Sequence, residues 1–400
     1  MSVKILVSNV GSTSLKFKLF DMAEQERVLC EAKVERVGSA DAAIYTYKNL
    51  LNGFSQRREG CSVPDYSTGI KMFLESMTGP DSGVVADVAE VDAVGFKTVL
   101  AKGYYGVHEL TDQVLDAMRA FLFVAPAHNG PYLEAIEQFR RVMPQAVPVG
   151  VFETAFHTTI PLSRRMYSIP YEWHEKYDIM RMGYHGASHS YIAEQAAADR
   201  LISCHLGGSC SVCAIEKGRS VDSSFGFSLQ TGIPHANRVG DIDPYIIPFL
   251  ENEGLSRREI LDGMAKNGGL LGVSGVSNDL RLVQEAADGG NERADLAVEM
   301  LATAVIRYIG AYYAELGGLD KLVFTGGIGE NSAPLRGRIC AGLGHMGIVL
   351  DPERNGSCRG EGIISAEGSP VTVQVIPAYE ELGVARRSRE YLARRDLRSE

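Results

Sequence analysis

No run of about 18 consecutive apolar residues occurs anywhere in the 400-residue chain, so the sequence offers no membrane-spanning helix. A surplus of positive charge is also missing: 40 Lys and Arg stand against 50 Asp and Glu, for a formal net charge of −10. Nucleic acids and anionic membrane surfaces are bound through basic patches, and this balance argues against both as partners. The opening residues 1–7 lack the long apolar core and small-residue cleavage site of a secretory leader. The seven cysteines are odd in number and scattered, which suits a reducing compartment better than a disulfide scaffold. A cytoplasmic location is therefore expected. Cys210 and Cys213 form one C-x-x-C near Cys204 and His205, with no second C-x-x-C to complete a zinc ribbon. They are read as small strand residues, with a metal or redox site as the alternative. Low-complexity linkers, a Walker loop and a Rossmann fingerprint are all absent.

Apolar residues make up 45% of the chain and charged residues 22%, ordinary values for globular proteins. The length suggests two domains. Residues 4–7 read as a buried strand, 9–14 as a turn and 15–20 as a returning strand with alternating polarity. Short apolar runs at 91–94 and 147–152 predict further strands, with helices over 112–123 and 131–142 between them. The second half repeats this grammar about 200 residues later: strand 201–206, turn 207–211, strand 212–215. Helices are predicted over 244–253, 256–266 and 292–316, then a strand over 321–324 that runs into a glycine turn, 325–331. The segment 380–395 is rich in helix formers, and its arginines read as a solvated face. Repeated strand–turn–strand units at this distance suit two related lobes, not a solenoid.

Three glycine- or serine-rich turns follow strands: Asn9 to Ser14, Gly207 to Ser211 and Thr325 to Asn331. Such turns can bring backbone N–H groups close to phosphate oxygens. A single one would mean little, because hairpins need these residues anyway. Three of them in a two-lobed pattern point to phosphate binding. Two further clusters are Arg181-Met-Gly-Tyr-His-Gly-Ala-Ser-His189 and Asn237-Arg-Val-Gly-Asp-Ile-Asp-Pro244. His185, set between an aromatic and a glycine, is the stronger histidine candidate. Arg238 is a candidate anion ligand, with pairing to Asp241 or Asp243 as the plain alternative.

From end to end the chain resembles the acetate kinase family of the actin, sugar kinase and Hsp70 superfamily. The resemblance rests on Val7-Ser-Asn-Val-Gly-Ser-Thr-Ser-Leu-Lys16, Ala125-Pro-Ala-His-Asn129, Val151-Phe-Glu-Thr-Ala-Phe-His157, Gly183-Tyr-His-Gly-Ala-Ser-His189, His205-Leu-Gly207, Arg238-Val-Gly-Asp-Ile-Asp-Pro244, Gly269-Leu-Leu-Gly-Val-Ser-Gly275, Phe324-Thr-Gly-Gly-Ile-Gly-Glu-Asn331 and Ile376-Pro-Ala-Tyr-Glu-Glu-Leu382. It implies an α/β fold of two ribonuclease H-like, actin-type lobes with ATP in the cleft: residues 1–150 plus 385–400, and residues 151–384. It implies a Mg²⁺-dependent, reversible in-line transfer of the γ-phosphoryl of ATP to a short carboxylic acid, and a homodimer. Asn9 and Glu380 would hold Mg²⁺. Ser12, Ser14 and Lys16 would line the phosphate turn. His185, Arg238 and Glu153 would be catalytic. His205, Leu206, Gly207, Gly208, Ser209, Asp279, Leu280, Arg281, Gly327, Ile328, Gly329, Glu330 and Asn331 would surround the nucleotide. Lys97, Val99, Ala127, His128, Tyr184 and Leu229 would form the acceptor pocket.

The acceptor end departs from the family pattern. Lys97 stands for an arginine, Glu153 for an aspartate, Ala127 for a leucine, Tyr184 for a phenylalanine and Leu229 for a proline. Val99 is kept. Two histidines of the pattern become Phe96 and Leu100. In the nucleotide turn Gly208-Ser209 replaces Asn-Gly, and Ala378-Tyr379 replaces Thr-Asn. Lysine offers a point charge where arginine offers a fork, the alanine opens space, and the tyrosine hydroxyl needs a partner. An acceptor larger or more polar than acetate is expected. The alternatives are a paralogue with little kinase activity and a nucleotide-binding ATPase of the wider superfamily.

Overall fold

The computed structural model describes residues 3–11, 13–23 and 25–399, without the side chains of 126, 127, 396, 398 and 399. Ser12 and the side chain of Ala127 thus lie outside the described residues. The chain divides into two units: residues 1–155 with 379–400, and residues 156–378.

The first unit is built on an eight-stranded sheet. Its strands are β1 (Lys4–Val10), β2 (Ser14–Asp21), β3 (Arg27–Glu35), β4 (Ser39–Asn49), β5 (Ser55–Val63), β6 (Ala93–Phe96), β7 (Val107–Glu109) and β8 (Val147–Val151), in the order β5-β4-β3-β2-β1-β6-β8-β7. β1, β6 and β8 are parallel; β2 to β5 continue from β1 as an antiparallel meander. Parallel strands are covered on both faces, which is why β1 reads as a nearly continuous apolar run. Ile5 and Val7 pack with Val151 against Val384 and Ala385 of the helix Glu380–Ser399. Elsewhere in the unit Phe17 stacks on Phe73 at 4.5 Å and Phe96 meets Phe139 edge-on at 5.7 Å, which ties the helices Tyr66–Thr78 and Pro126–Val142 to the sheet. Gly95 is glycine because a Cβ there would lie 2.6 Å from Ser388 Oγ of the terminal helix.

The second unit has six strands: β9 (Arg200–Leu206), β10 (Cys210–Glu216), β11 (Arg219–Ser223), β12 (Lys321–Thr325), β13 (Gly362–Ile363) and β14 (Thr372–Val375), in the order β11-β10-β9-β12-β14-β13. Again the first strand is antiparallel to its hairpin partner and parallel to the strands beyond it. Ile202, Cys204, Val212 and Phe324 face Leu301, Val305 and Ile309 of the helix Glu292–Glu315. Leu201, Cys213, Ile215 and Val323 face Tyr191 and Ile192 of the helix Gly186–Ala196. The two units therefore share one topology, β3-β2-β1-β6-β8 matching β11-β10-β9-β12-β14.

Three expectations change. The division falls at 155/156 and 378/379, where the sequence put it at 150/151 and 384/385. The shift has a cause: the amides of Phe152 and Glu153 bond to the carbonyls of Gly106 and Thr98 in the first unit, and the last helix begins at Glu380. The segment 325–331 is not a turn after its strand but the short helix Gly326–Asn331. Strands β3 to β5 had no counterpart in the sequence reading.

Candidate active site

In sheets of this kind ligands gather at the carboxyl ends of the parallel strands. In the first unit those ends carry chemistry. Asn9 is the penultimate residue of β1, Lys97 follows β6 and Glu153 lies just beyond β8. The amide of Glu153 bonds to the carbonyl of Thr98 at 2.9 Å, fixing the two strand ends side by side. The Lys97 ammonium lies 2.6 Å from Glu380 Oε2 and 3.4 Å from Glu153 Oε1. Burial pulls the Lys97 pKa down, but the two carboxylates outweigh it and hold the ammonium above its usual range. Tyr132 adjoins this group. Its hydroxyl accepts from the amide of Val10 at 3.1 Å and reaches Asn9 Oδ1 at a long 3.4 Å. Burial raises the Tyr132 phenol, so it stays protonated. Nothing in the sequence singled out Tyr132. Val99, two residues after Lys97, is buried, and His128 sits half-buried in the first turn of the helix Pro126–Val142. Ser14 opens β2, and Lys16 is exposed on it opposite Asn9.

In the second unit the strand ends bring together the residues expected around phosphate. The turn from Gly207 to Ser209 joins β9 to β10, and the helix Gly326–Asn331 follows β12. These two segments touch. Gly326 has φ +77°, and a Cβ there would meet Leu206 O at 2.8 Å. Behind the short helix lies Arg336, only 1% exposed. It donates to the carbonyls of Gly329 and Glu330 at 2.8 and 2.9 Å and to Asn355 through Nε and Nη2. Glu330 Oε1 in turn accepts from the amide of Ala378 at 3.2 Å. Leu206 and Leu280 have their side chains in the hydrophobic core, and Ile328 packs against it. Asp279 caps the helix Leu280–Asp288 and pairs with exposed Arg281.

His185 has φ 56°, in the left-handed region that non-glycine residues seldom occupy. It terminates a tight approach in which Gly183, φ +64°, lies against the ring of His157. That ring donates from Nε2 to the carbonyl of Tyr184 at 2.9 Å, and burial lowers its pKa to about 4. His185 Nδ1 is 2.8 Å from Ser211 Oγ, and the His185 ring lies on His205 with centroids 4.1 Å apart. His205 Nδ1 meets Ser188 Oγ at 2.8 Å.

Arg238 is half-buried and forms no ion pair among the described residues. Its Nη1 donates to the carbonyl of Leu229 at 2.7 Å. Asp241 accepts instead from the amide of Gly232 and from Tyr308 Oη, and Asp243 from the amide of Tyr245. The pairing of Arg238 with either acid is thereby replaced by a guanidinium whose burial is not matched by a carboxylate, and its pKa is lowered by that burial. Such a group favours an arriving anion. One expectation about Tyr184 is corrected: its buried hydroxyl donates to the carbonyl of Phe227 at 2.7 Å, so it has a partner within the protein. Cys204, Cys210 and Cys213 are buried strand residues, and burial pushes the Cys210 thiol up to about 11. Among the described residues no helix is long and apolar enough to cross a membrane.

The acetokinase family model matches residues 4–386. The chain is 41% identical over 393 residues to the acetate kinase of Bacillus subtilis (strain 168), covering 96% of this chain and 98% of that protein. The crystal structure of Porphyromonas gingivalis acetate kinase superposes with a TM-score of 0.86 at 36% identity, over 98% of this chain and 100% of that one. A propionate kinase from Francisella tularensis subsp. tularensis SCHU S4 superposes with a TM-score of 0.87 at 32% identity, over 96% and 98%.

Proposed function

This chain belongs to the acetokinase family, and we propose that it transfers the γ-phosphoryl group of ATP to a short-chain carboxylic acid, giving an acyl phosphate. The observation that carries this is the half-buried, carboxylate-free Arg238 in the same unit as a left-handed His185. A carboxylate acceptor is already an anion, so attack on phosphorus needs no strong base. It needs donors and cations that offset repulsion between two anions in the transition state. Arg238 supplies two parallel N–H groups for equatorial phosphoryl oxygens, and His185 supplies a third donor. Within the second unit, the backbone of 205–209 and 327–331 would approach the nucleotide phosphates. Ser14 and Lys16, on the first unit's hairpin, are separate candidate phosphate ligands. Leu206 and Leu280 would take part through backbone alone, their side chains being spent in the core.

Glu153 and Glu380 present carboxylate oxygens at the Lys97 ammonium, and Asn9 presents an amide oxygen to the neighbouring Tyr132 hydroxyl. Oxygen donors are what Mg²⁺ selects, so this set fits the ion, with Asn9 and Glu380 as its holders. When bound, Mg²⁺ neutralises charge on the nucleotide oxygens. A homodimer in the cytoplasm belongs to the same reading; seven free thiols suit that compartment.

The acceptor is the finer part of the proposal. Lys97 is held by two carboxylates, so it grips an incoming carboxylate less well than an uncommitted arginine fork would. By sequence alone, alanine at 127 in place of the family's leucine argues for a longer acceptor chain, each buried methylene being worth about 0.8 kcal/mol. The Tyr184 hydroxyl, already bonded to Phe227 O, no longer argues for a hydroxylated acid. We therefore expect propionate or butyrate to exceed acetate in kcat/KM. A hydroxamate-trap assay of short acids with ATP and Mg²⁺ checks this. Acetate ranking first would refute the altered pocket, and ADP release that needs no acid at all would favour a nucleotide-binding ATPase.

A further inference from the structure

Behind His185 runs a line of hydrogen bonds that the transfer reaction does not by itself require. His185 Nδ1 lies 2.8 Å from Ser211 Oγ, and His189 Nε2 lies 2.8 Å from the same oxygen. On its other side His189 Nδ1 lies 2.9 Å from Ser203 Oγ. Ser203, Ser211 and His189 are all fully buried. Ser203 sits on β9 and Ser211 on β10, and the strands are paired so that both hydroxyls flank the helix Gly186–Ala196 that carries His189.

The directions of these bonds follow from counting protons. Each serine hydroxyl has one hydrogen, and a neutral imidazole has one N–H and one bare nitrogen. His189 is neutral, because burial first, and then its neighbours His157 and His205, hold its pKa well below the usual value. Ser203 has a single hydrogen-bond partner among the described residues, His189 Nδ1. If His189 carried its proton on Nδ1, the Ser203 hydrogen would be buried without an acceptor, at a cost of roughly 1–3 kcal/mol. Ser203 therefore donates to Nδ1, and His189 carries its proton on Nε2. That proton goes to Ser211 Oγ, so the Ser211 hydrogen points to His185 Nδ1. His185 is left with its proton on Nε2.

We propose that Ser203, His189 and Ser211 act as positioning residues that fix His185 as the Nε2–H tautomer, so that it meets the phosphoryl group as a ready-made donor and not as a base. The proposal rests on the kinase reading for what His185 donates to, but the tautomer itself is a property of the protein alone. A neutral donor suits this site. It stabilises charge that develops on phosphoryl oxygen without first having to capture a proton, and it offers no lone pair to compete with the acceptor carboxylate.

The test is nuclear magnetic resonance on protein with ¹⁵N-labelled histidine, the His185 signal being assigned by its loss in His185→Gln. The neutral His185 ring should show a protonated Nε2 and a bare Nδ1. Ser211→Ala should turn this into a mixture of tautomers and lower kcat roughly 10- to 100-fold, less than the roughly 10²–10³-fold for losing a preorganised donor outright because part of the population keeps the donor, with KM for ATP nearly unchanged. His189→Gln, whose amide can still donate to Ser211, should keep the Nε2–H form, whereas His189→Leu should lose it. A wild-type His185 protonated at Nδ1 overturns the proposal, as does a Ser211→Ala variant whose tautomer is unaltered. These spectra are read on the enzyme without substrates. An absence of acid-dependent ADP formation would instead defeat the kinase reading while leaving the tautomer result standing.

Discussion

The anion-binding role proposed for Arg238 rests on the placement of a single side chain. A guanidinium buried without a carboxylate loses solvation, and here, among the described residues, one of its five N–H groups donates inside the fold, to Leu229 O. The remaining donors are held half-buried in a loop pinned by its own acids: Asp241 is spent on Gly232 and Tyr308. Arg238→Ala should lower kcat by roughly 10²–10³, the scale for a donor aimed at developing charge. Arg238→Lys should recover only part of that, since a point charge cannot reproduce the fork. Steady-state rates under saturating ATP decide it: near wild-type kcat in the alanine variant would assign Arg238 to the loop's structure alone.

At the scale of elements, one glycine-rich segment has something rigid beneath it. The helix Gly326–Asn331 is only six residues long, too short to stand by itself. Arg336 supplies what it lacks by bonding the carbonyls of Gly329 and Glu330 from within the core. Arg336→Met removes both bonds and those to Asn355, leaving buried carbonyls unmatched. We expect a loss on urea unfolding of roughly 1–3 kcal/mol, the scale for a buried polar group left unmatched, and a KM for ATP that rises more than the KM for the acid. Equal rises would place the effect outside the nucleotide segment. The elements also show where sequence suffices. The hairpins β1–β2 and β9–β10 were legible because apolar strands and small-residue turns recur in the same order 200 residues apart. β5 was not, because its exposed residues break the apolar pattern: Arg57, Arg58, Glu59 and Gly60 all lie at the surface. β3 and β4 do alternate, with Ala32 and Val34, and Tyr45 and Tyr47, buried, and carry no motif residue that drew attention to them. Motif residues such as His185 and Arg238 stood out by their neighbours in the chain. Tyr132, Ser203 and Ser211 did not, since their roles arise from strand register and helix packing, which bring together residues far apart in sequence. Lys97 was visible as a departure, but its two carboxylate partners, one of them 283 residues away, were not.

For the whole molecule, the second unit is the one exposed to acid. His157, His189 and His235 are buried and neutral, with pKa values of about 4, well below the usual value, and about 3, in each case chiefly because burial disfavours the charged ring. In the unfolded chain each would titrate near 6.5. A group whose folded pKa is depressed contributes stability above its unfolded pKa and loses it as pH falls toward the folded value. Below about pH 6.5 each histidine thus costs up to about 1.4 kcal/mol per pH unit. Asp222 opposes this weakly. Burial raises its carboxyl to about 6, so the folded form holds a proton that the unfolded form releases above its usual range, and stability gains as pH falls through 6. One opposing proton against three leaves a net loss of roughly two protons' worth per unit across pH 6 to 4. The first unit has no comparable set of buried neutral histidines among its described residues: His108 and His128 are both partly exposed. Thermal unfolding followed from pH 7.5 to 5.0 should show a falling midpoint, with hydrogen exchange rising first in 156–378. His235→Gln should flatten the curve by about one proton's share, provided the glutamine Oε1 still accepts from the amide of Cys210, which His235 Nδ1 does now at 2.9 Å. A midpoint that stays level down to pH 5.0 would mean these rings accept protons in the folded state and are not held neutral by burial.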